Sequence, residues 1–222
     1  MDFITGLTLE FSSNKNAKVA LGQKAYMKNL FEFYGIKTPL RRELQKPFLN
    51  KQYLPDKSEL EPLIRILWQK PEREYQYFTQ ELFFKYNKKL EESDIALFEY
   101  MIVHKSWWDT VDFIATKLLA SYFKSYPNKK TYYIKKWIKS NNVWLQRSAL
   151  LFQLKYKATL DTDLLDFTIN SLLDTKEFFI NKAIGWILRE YSKSNPQWVI
   201  NFVEKTKLSA LSKREGLRLI KS

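Results

Sequence analysis

The chain has 222 residues, enough for one large domain or an array of repeats, and 45% of them are hydrophobic. It contains no cysteine and one histidine, His104, which excludes disulfides, thiolate or histidine-based zinc sites and cysteine nucleophiles; its five glycines stand singly, which excludes a glycine-rich phosphate loop. The 37 Lys and Arg exceed the 24 Asp and Glu by a net charge of +13, which indicates a nucleic acid or an anionic membrane surface as partner, unless the protein is simply basic.

The first 34 residues predict two short helices. A polar break at residues 12–16 separates them, and the second helix runs through Tyr26 before Gly35 ends the stretch. The opening residues lack the basic segment and the long apolar run of a signal peptide, and no run of about 18 apolar residues is present. We therefore expect a cytoplasmic protein without a membrane-spanning segment.

The next helix is predicted to begin at Thr38. Thr38 is a favourable N-cap and Pro39 is a favourable first helical residue. Arg41 and Arg42 would then lie in the first turn, where the helix dipole disfavours cations unless a phosphate docks there. A phosphate-binding turn and two solvated arginines are both open at this point.

From residue 58 onward the pattern is helix, short break, helix. The segment Ser58-Glu59-Leu60-Glu61-Pro62 predicts a capping box that opens the first of these helices. The breaks that follow are rich in Ser, Asn, Lys, Thr and Pro, and they fall at residues 87–89, 125–128, 140–142, 158–159, 174–175, 194–196 and 207–209. Strand-like alternation is not sustained anywhere, and no linker divides the chain. The prediction is one domain over residues 1–222, with capping helices at 1–57 and stacked helix pairs at 58–222.

The helix pairs repeat with a period of 35 residues. Residues at this spacing precede the predicted helix starts: Lys70, Lys105, Ser140 and Thr175. A second set falls inside the helices: Tyr77, Asp112, Arg147 and Lys182. Helix pairs at such a period predict an α-solenoid, in which equivalent positions of stacked repeats line up. Asp112, Arg147 and Lys182 should therefore share one concave basic surface.

A candidate site lies at the start of one repeat. Ser106 and Asp109 predict a capping-box-like helix start, so that Trp108 and Asp112, four residues apart, share one face. An indole ring beside a carboxylate suits a cation. The alternative is that Trp107 and Trp108 belong to the core and that Asp112 pairs with a Lys or Arg elsewhere.

Further aromatic and basic residues are spaced to reach the same groove. The expected set is Trp108, Asp112, Trp144, Arg147, Lys182 and Trp186. Basic residues interleaved with aromatic ones are typical of nucleic-acid binding surfaces. The alternative is that these tryptophans pack between helices, as we expect in any case for Trp68, Trp137 and Trp198.

Nearly the whole chain resembles the AlkD-type DNA glycosylases, the HEAT-like-repeat DNA alkylation repair enzymes. The matching segments are 26–29, 35–42, 71–74, 105–112, 144–147, 152–157, 176–180, 183–191 and 211–215. The most specific are Ser106-Trp107-Trp108-Asp109 with Asp112, and the block from Lys176-Glu177-Phe178-Phe179 to Gly185-Trp186. The resemblance implies a HEAT-like α-solenoid that hydrolyses the N-glycosidic bond of cationic N3- and N7-alkylated purines, such as 3-methyladenine and 7-methylguanine, in duplex DNA.

The resemblance also implies roles for particular residues. Asp112, Trp108 and Trp186 match the catalytic positions of the family. The matching DNA-binding positions are Arg147, a backbone contact, and Tyr26, which faces the lesion; Lys182, Arg41 and Arg42 join them as DNA-binding candidates. The family acts without flipping the damaged base into a pocket. No metal and no cofactor is implied, and the partner is double-stranded DNA, bound by a monomer.

Two other classes of function remain open from the sequence. The main alternative is a non-catalytic helical-repeat scaffold that binds DNA or an acidic protein, since a paralogue of a repair enzyme can keep the fold and lose the activity. The retention of Trp108, Asp112, Arg147 and Trp186 together argues against it. A peripheral binder of anionic membranes would need a basic amphipathic helix with a free apolar face, and the sequence isolates none.

Overall fold

The computed structural model describes residues 2–220, and within that range the regular structure is helical, with an isolated parallel bridge between Glu32 and Glu72. The predicted all-α fold of helical repeats is confirmed. The chain divides into two compact units, Met1–Lys89 and Leu90–Ser222. The predicted single domain with a boundary near residue 57 stays a prediction. In the described range no helix has the length and apolar character needed to cross a membrane.

In its described part, which begins at residue 2, the unit Met1–Lys89 contains five α-helices. They are α1 (Phe3–Ser13), α2 (Ala17–Tyr26), α3 (Thr38–Leu44), α4 (Lys57–Gln69) and α5 (Arg73–Phe84), with two short 3-10 turns at Pro47–Leu49 and Lys51–Tyr53. The two predicted N-terminal helices and the break between them are therefore confirmed. Gly35 has φ of 88°, and a Cβ there would lie 2.1 Å from the carbonyl oxygen of Asn16, so only glycine fits this connection.

A buried carboxylate fixes the connection between α2 and α3. The side chain of Glu74, on α5, accepts hydrogen bonds from the backbone N–H groups of Tyr34, Gly35 and Ile36 at 3.1, 3.0 and 3.1 Å. Burial raises the pKa of Glu74, and these three donors offset part of the shift. This connection, in which Gly35 and Ile36 are buried, is thus held to a helix about 40 residues later in the chain.

Two predicted helix starts in this unit are wrong in detail. Lys37 is the N-cap of α3, so Thr38 is already helical, and Arg41 and Arg42 lie in the last turn of this short helix, where the dipole favours cations. The capping box of α4 is formed by Asp56 and Glu59, because the chain enters the helix two residues before Ser58.

The unit Leu90–Ser222 contains nine α-helices in its described part. They are α6 (Asp94–Val103), α7 (Trp108–Phe113), α8 (Ala120–Ser125), α9 (Pro127–Ile138), α10 (Val143–Leu151), α11 (Thr162–Asn170), α12 (Phe178–Tyr191), α13 (Pro196–Lys205) and α14 (Ala210–Leu217). A π-helical segment, Ile114–Leu119, joins α7 to α8, and a 3-10 turn lies at Lys157–Thr159. Within this unit α7 packs on α10, α10 on α12, and α12 on α14.

The 35-residue period appears directly in the helix starts. Helices α5, α7, α10 and α12 begin at Arg73, Trp108, Val143 and Phe178, each 35 residues after the one before. In the second unit, leucine and isoleucine side chains of α10, α11 and α12 form one buried cluster with α13. This packing brings equivalent positions of α7, α10 and α12 next to each other.

The three tryptophans expected in the core behave much as predicted. Trp68 and Trp137 are fully buried. Trp198 is partly buried against the core of the second unit, and its ring stacks on Phe202 with centroids 4.9 Å apart. The remaining tryptophans lie near one another in the second unit, where they form the candidate site.

Candidate active site

Helix α7 carries the candidate catalytic carboxylate, but its start differs from the prediction. Trp107 is the N-cap and makes no side-chain capping bond, while the hydroxyl of Ser106 donates to the carbonyl of Ile102 at 2.6 Å. Ser106 therefore closes the preceding helix and does not cap α7. Asp112 lies just before the π-helical segment, where the Thr116 hydroxyl donates to its backbone carbonyl at 2.7 Å. π-Helical insertions are frequent at functional sites.

Asp112 and Arg147 form a buried, bidentate ion pair between adjacent repeats. Nε and Nη2 of Arg147 lie 2.7 and 2.9 Å from the two carboxylate oxygens of Asp112. The Asp112 side chain is 16% exposed and that of Arg147 is 5% exposed. The third guanidinium nitrogen of Arg147 donates to the backbone carbonyl of Phe179, so α7, α10 and α12 are joined at one point.

The electrostatics of this pair hold Asp112 as a poorly solvated anion. Burial raises the pKa of the Asp112 carboxyl above its ordinary value of 3.8, and the guanidinium of Arg147 offsets part of that rise. Both oxygens accept charge-assisted hydrogen bonds from Arg147, which favour the ionised carboxylate. Such a group stabilises a developing positive charge more strongly than a solvated carboxylate does.

Three aromatic rings pack beside the ion pair. The ring of Phe179 lies 5.1 Å from that of Trp107 and 4.9 Å from that of Trp144, and the two indoles are 5.5 Å apart. The indole N–H of Trp107 is buried without a hydrogen-bond partner. Trp144 belongs to this cluster and packs against Trp107 and Phe179. It therefore contacts the residue whose backbone carbonyl accepts a hydrogen bond from Arg147.

A pocket of about 320 Å³ opens next to this cluster. Its lining residues are Trp108, Arg147, Phe178, Phe179, Lys182, Trp186 and Arg189. The pocket thus brings together four of the predicted site residues, and Asp112 is hydrogen-bonded to one of them, Arg147. Aromatic faces, two side chains with exposed positive charge and a buried carboxylate form a site suited to a cationic group attached to an anionic backbone.

Sequence reasoning missed three of the lining residues. Phe178 and Phe179 open α12, and Phe178 stands at the repeat position of Trp108, 70 residues earlier. Arg189 lies seven residues after Lys182, which places it two turns further along the same helix face. The repeat period could therefore have predicted Phe178, and the helical period could have predicted Arg189. Phe178 is 57% exposed, which fits a contact surface better than a core position.

Lys182 and Arg189 are both held by one carboxylate of α14. Nζ of Lys182 lies 3.0 Å from one Glu215 oxygen, and Arg189 donates to the other. The hydrogen bond from Lys182 is the main reason that the pKa of Glu215 is lowered, and its charge adds to the effect. The predicted DNA-binding residue Lys182 therefore reaches the pocket as part of a three-residue ionic network.

The predicted DNA-binding residues of the first unit have varied surroundings. Tyr26, at the end of α2, is 68% exposed. Arg41 is 4% exposed and pairs with Glu81 at 2.9 Å, while Arg42 is exposed and lies 3.5 Å from the same carboxylate. Arg41 is therefore held by a partner 40 positions away that local sequence could not reveal. Arg42 lines a separate pocket of about 380 Å³ with Lys46 and others.

No group of three or more His, Cys, Asp or Glu side chains gathers within residues 2–220 in a way that would hold a metal ion.

These features define a helical-repeat protein with an aromatic and basic site built across successive repeats. The family model of the DNA alkylation repair enzymes matches residues 7–220. A solved structure, described as a predicted DNA alkylation repair enzyme from Enterococcus faecalis, is 36% identical, with a TM-score of 0.88 over 94% of this chain and 97% of that one. No curated protein matches the chain. The chain belongs to the DNA alkylation repair enzyme family, whose role in DNA repair makes DNA the expected partner.

Proposed function

We propose that the protein is a monofunctional AlkD-type DNA glycosylase that removes cationic N3- and N7-alkylated purines from duplex DNA and so initiates base excision repair. The observation that carries this proposal is the ionised, buried Asp112, held by Arg147 beside a pocket lined by Trp108 and Trp186. A fixed negative charge flanked by electron-rich rings is complementary to a sugar and base that share a positive charge.

The leaving group explains why no general acid is required. An N3- or N7-alkylated purine already carries a positive charge, so the C1′–N bond breaks with its electron pair leaving on a neutral base. The sugar is left with oxocarbenium character, as in other glycoside hydrolyses.

Asp112 acts on the sugar side of the reaction. Its carboxylate stabilises the oxocarbenium charge and orients a water molecule toward C1′. As the water oxygen bonds to C1′, its proton is taken up by the carboxylate and is later released to solvent. The products are the neutral alkylpurine and an abasic site. Arg147 keeps the carboxylate in position throughout, because both of its oxygens are anchored.

The indole faces of Trp108 and Trp186 stabilise the cationic sugar and base through their ring quadrupoles, which contribute on the order of 0.5–2 kcal/mol each. We propose that Lys182, Arg147, Arg42 and Tyr26 contribute to binding of the duplex, and that contacts to phosphate set its position without reading sequence. Following the family, the lesion stays in the duplex and is not flipped into a deep pocket.

The decisive experiment compares three proteins on methylated duplex DNA under single-turnover conditions. The native protein should release 7-methylguanine and 3-methyladenine. Asp112→Asn should bind the same duplex but release base about 10²–10³-fold more slowly, because the fixed negative charge is gone. Asp166→Asn removes a carboxylate that pairs with Lys205 on the surface and should match the native rate. Equal release by Asp112→Asn and the native protein would overturn the assignment of Asp112.

One observation favours the second candidate, a non-catalytic DNA-binding scaffold. Both oxygens of Asp112 are already engaged by Arg147, and the side chain is only 16% exposed. A purely structural ion pair would look the same. The same experiment separates the two: a scaffold would bind the methylated duplex and release no base from any of the three proteins.

A further inference from the structure

One face of α12 brings two cations to the pocket on either side of a tryptophan. Lys182, Trp186 and Arg189 follow one another at helical spacing and all line the pocket. Long cationic side chains at a surface normally sample many rotamers, so two of them converging on one pocket need a restraint. That restraint comes from the last described helix, α14.

The position of Glu215 results from an unusually close approach of α14 to α12. At Gly185 a Cβ would lie 2.5 Å from the Glu215 Cβ and 3.2 Å from the Ser212 carbonyl oxygen. The hydroxyl of Ser212 also donates to the carbonyl of Asn181 at 2.8 Å. Because Gly185 has no side chain, α14 can lie directly against α12 at this point. Glu215 is then opposite Gly185, between Lys182 on the preceding turn of α12 and Arg189 on the following turn.

We infer that Glu215 is a positioning residue, which holds Lys182 and Arg189 apart on the two sides of Trp186 so that both present their remaining N–H groups to successive phosphates of one DNA strand. This inference rests on the proposed function. A negative charge beside a DNA-binding surface would by itself weaken DNA binding, whereas in this inference Glu215 promotes binding by positioning two cations.

The charge balance and the donor count support the assignment. One carboxylate neutralises only one of the two cations, so the cluster keeps a net positive charge. An ammonium group has three donors and a guanidinium has five, so most donors remain for a ligand after each has bonded to Glu215. The Lys182 side chain is 41% exposed and the Arg189 side chain is 24% exposed, whereas that of Glu215 is 10% exposed.

Helix α12, which carries Lys182 and Arg189, also provides a matched control. Glu190 pairs with Lys155 at 2.8 Å and with Lys193 at 2.7 Å, so it also holds two cations with one carboxylate. Those cations do not line the pocket that holds Trp108 and Trp186. Glu190→Gln therefore removes one negative charge, as Glu215→Gln does, but from α12 and without touching Lys182 or Arg189.

The experiment measures two quantities for the native protein, Glu215→Gln and Glu190→Gln. The first is the affinity for a duplex with a tetrahydrofuran abasic analogue relative to an undamaged duplex. The second is the single-turnover rate of 7-methylguanine release. Loss of a negative charge should raise general duplex affinity similarly in both variants. Only Glu215→Gln should also lose preference for the abasic duplex. It should release base about tenfold more slowly as well, because Lys182 and Arg189 are then misplaced.

A double-mutant cycle tests whether Glu215 acts through the two cations. Adding Glu215→Gln to a protein that already carries Lys182→Gln and Arg189→Gln should change neither quantity further. A similar additional loss in that background would overturn the inference, as would equal behaviour of Glu215→Gln and Glu190→Gln. If Glu215→Gln melts early, Glu215→Asp keeps the charge with a shorter reach and should show the same loss of abasic preference.

The two readouts keep this inference separate from the proposed function. If the native protein releases no base, the glycosylase proposal fails, and the abasic preference alone decides the role of Glu215. If base is released normally and Glu215→Gln is indistinguishable from Glu190→Gln, the proposed function stands and the role of Glu215 is refuted.

Discussion

Asp112 and Arg147 occupy the same position of two adjacent repeats, 35 residues apart, and meet through two charge-assisted hydrogen bonds of 2.7 and 2.9 Å. The repeat geometry therefore produces the ion pair, because stacking one repeat on the next brings equivalent residues of the two repeats together. The proposed catalytic carboxylate is thereby oriented by a residue of the next repeat.

The pH dependence of excision should show the perturbed carboxylate. In the proposed mechanism activity requires ionised Asp112, and burial raises its pKa, so the rate should fall on acidification around a midpoint above the ordinary value of 3.8. The measurement is the single-turnover rate against pH, corrected for spontaneous loss of methylated bases without enzyme. A rate that does not fall on acidification would contradict the proposed role of ionised Asp112.

The same shift has the opposite consequence for stability. Because the folded state binds the Asp112 proton more tightly than the unfolded state does, this carboxyl contributes less to stability as pH rises from the ordinary pKa through the raised one. Asp112→Asn should therefore remove a component of the pH dependence that falls with rising pH. Denaturant unfolding of the native and variant proteins across the acidic range measures the difference.

Arg147→Ala should cost about 3–5 kcal/mol of unfolding free energy, because it leaves the buried carboxylate of Asp112 without a partner. The loss should be partly recovered in the double variant Asp112→Asn/Arg147→Ala, which removes both charges. Denaturant unfolding measures all three. If the two substitutions were additive, the pair would not be coupled as its geometry requires. If Arg147 also contacts phosphate, the alanine variant lowers the salt dependence of duplex binding by about one unit of slope.

Gly185→Ala should destabilise the second unit by about 1–3 kcal/mol, because the new methyl group would meet the Glu215 Cβ at 2.5 Å. It should also slow base release, since α14 carries the carboxylate that holds Lys182 and Arg189. Gly22→Ala is the matched control: nothing lies within 4 Å of its Cβ position inside α2, so it should stabilise by about 0.5–1 kcal/mol. Thermal unfolding of the two variants gives the comparison.

Trp186→Leu should slow release of 7-methylguanine about tenfold, because a cation–π contact of on the order of 1–2 kcal/mol is lost. Trp186→Phe keeps an aromatic face and should retain most of the rate. Single-turnover kinetics on one methylated duplex distinguish the two variants. Equal losses in Leu and Phe variants would point to the shape of the indole and away from its electron density.

The sequence predicted periodic features well and local boundaries less well. The 35-residue period predicted which positions meet, and it is confirmed by helix starts at Arg73, Trp108, Val143 and Phe178. The start of α7 was wrong because Ser106 bonds backward to Ile102, a choice that depends on how the preceding helix ends. The Ser106 hydroxyl can either cap the following helix or bond back to the preceding one, and tertiary packing decides between the two.

Long-range partners explain the remaining differences. Arg41 lies beside Glu81, 40 residues later, and this contact buries a side chain that the sequence presented as a solvated or phosphate-binding arginine. Glu215 similarly lies outside the repeat register of the site, so its role between Lys182 and Arg189 follows only from the close approach at Gly185. Such contacts are set by how helices pack, which has no short-range signature.

Repeat proteins readily gain and lose whole units in evolution, because each unit packs only on its neighbours. The Asp112–Arg147 pair removes that freedom here. Inserting a 35-residue unit that carries neither residue between α7 and α10 would move the carboxylate about 10 Å from its guanidinium, roughly the distance between packed helices, while the array itself remained foldable. The number of layers between these two residues is therefore fixed by their ion pair and not by the stacking of repeats.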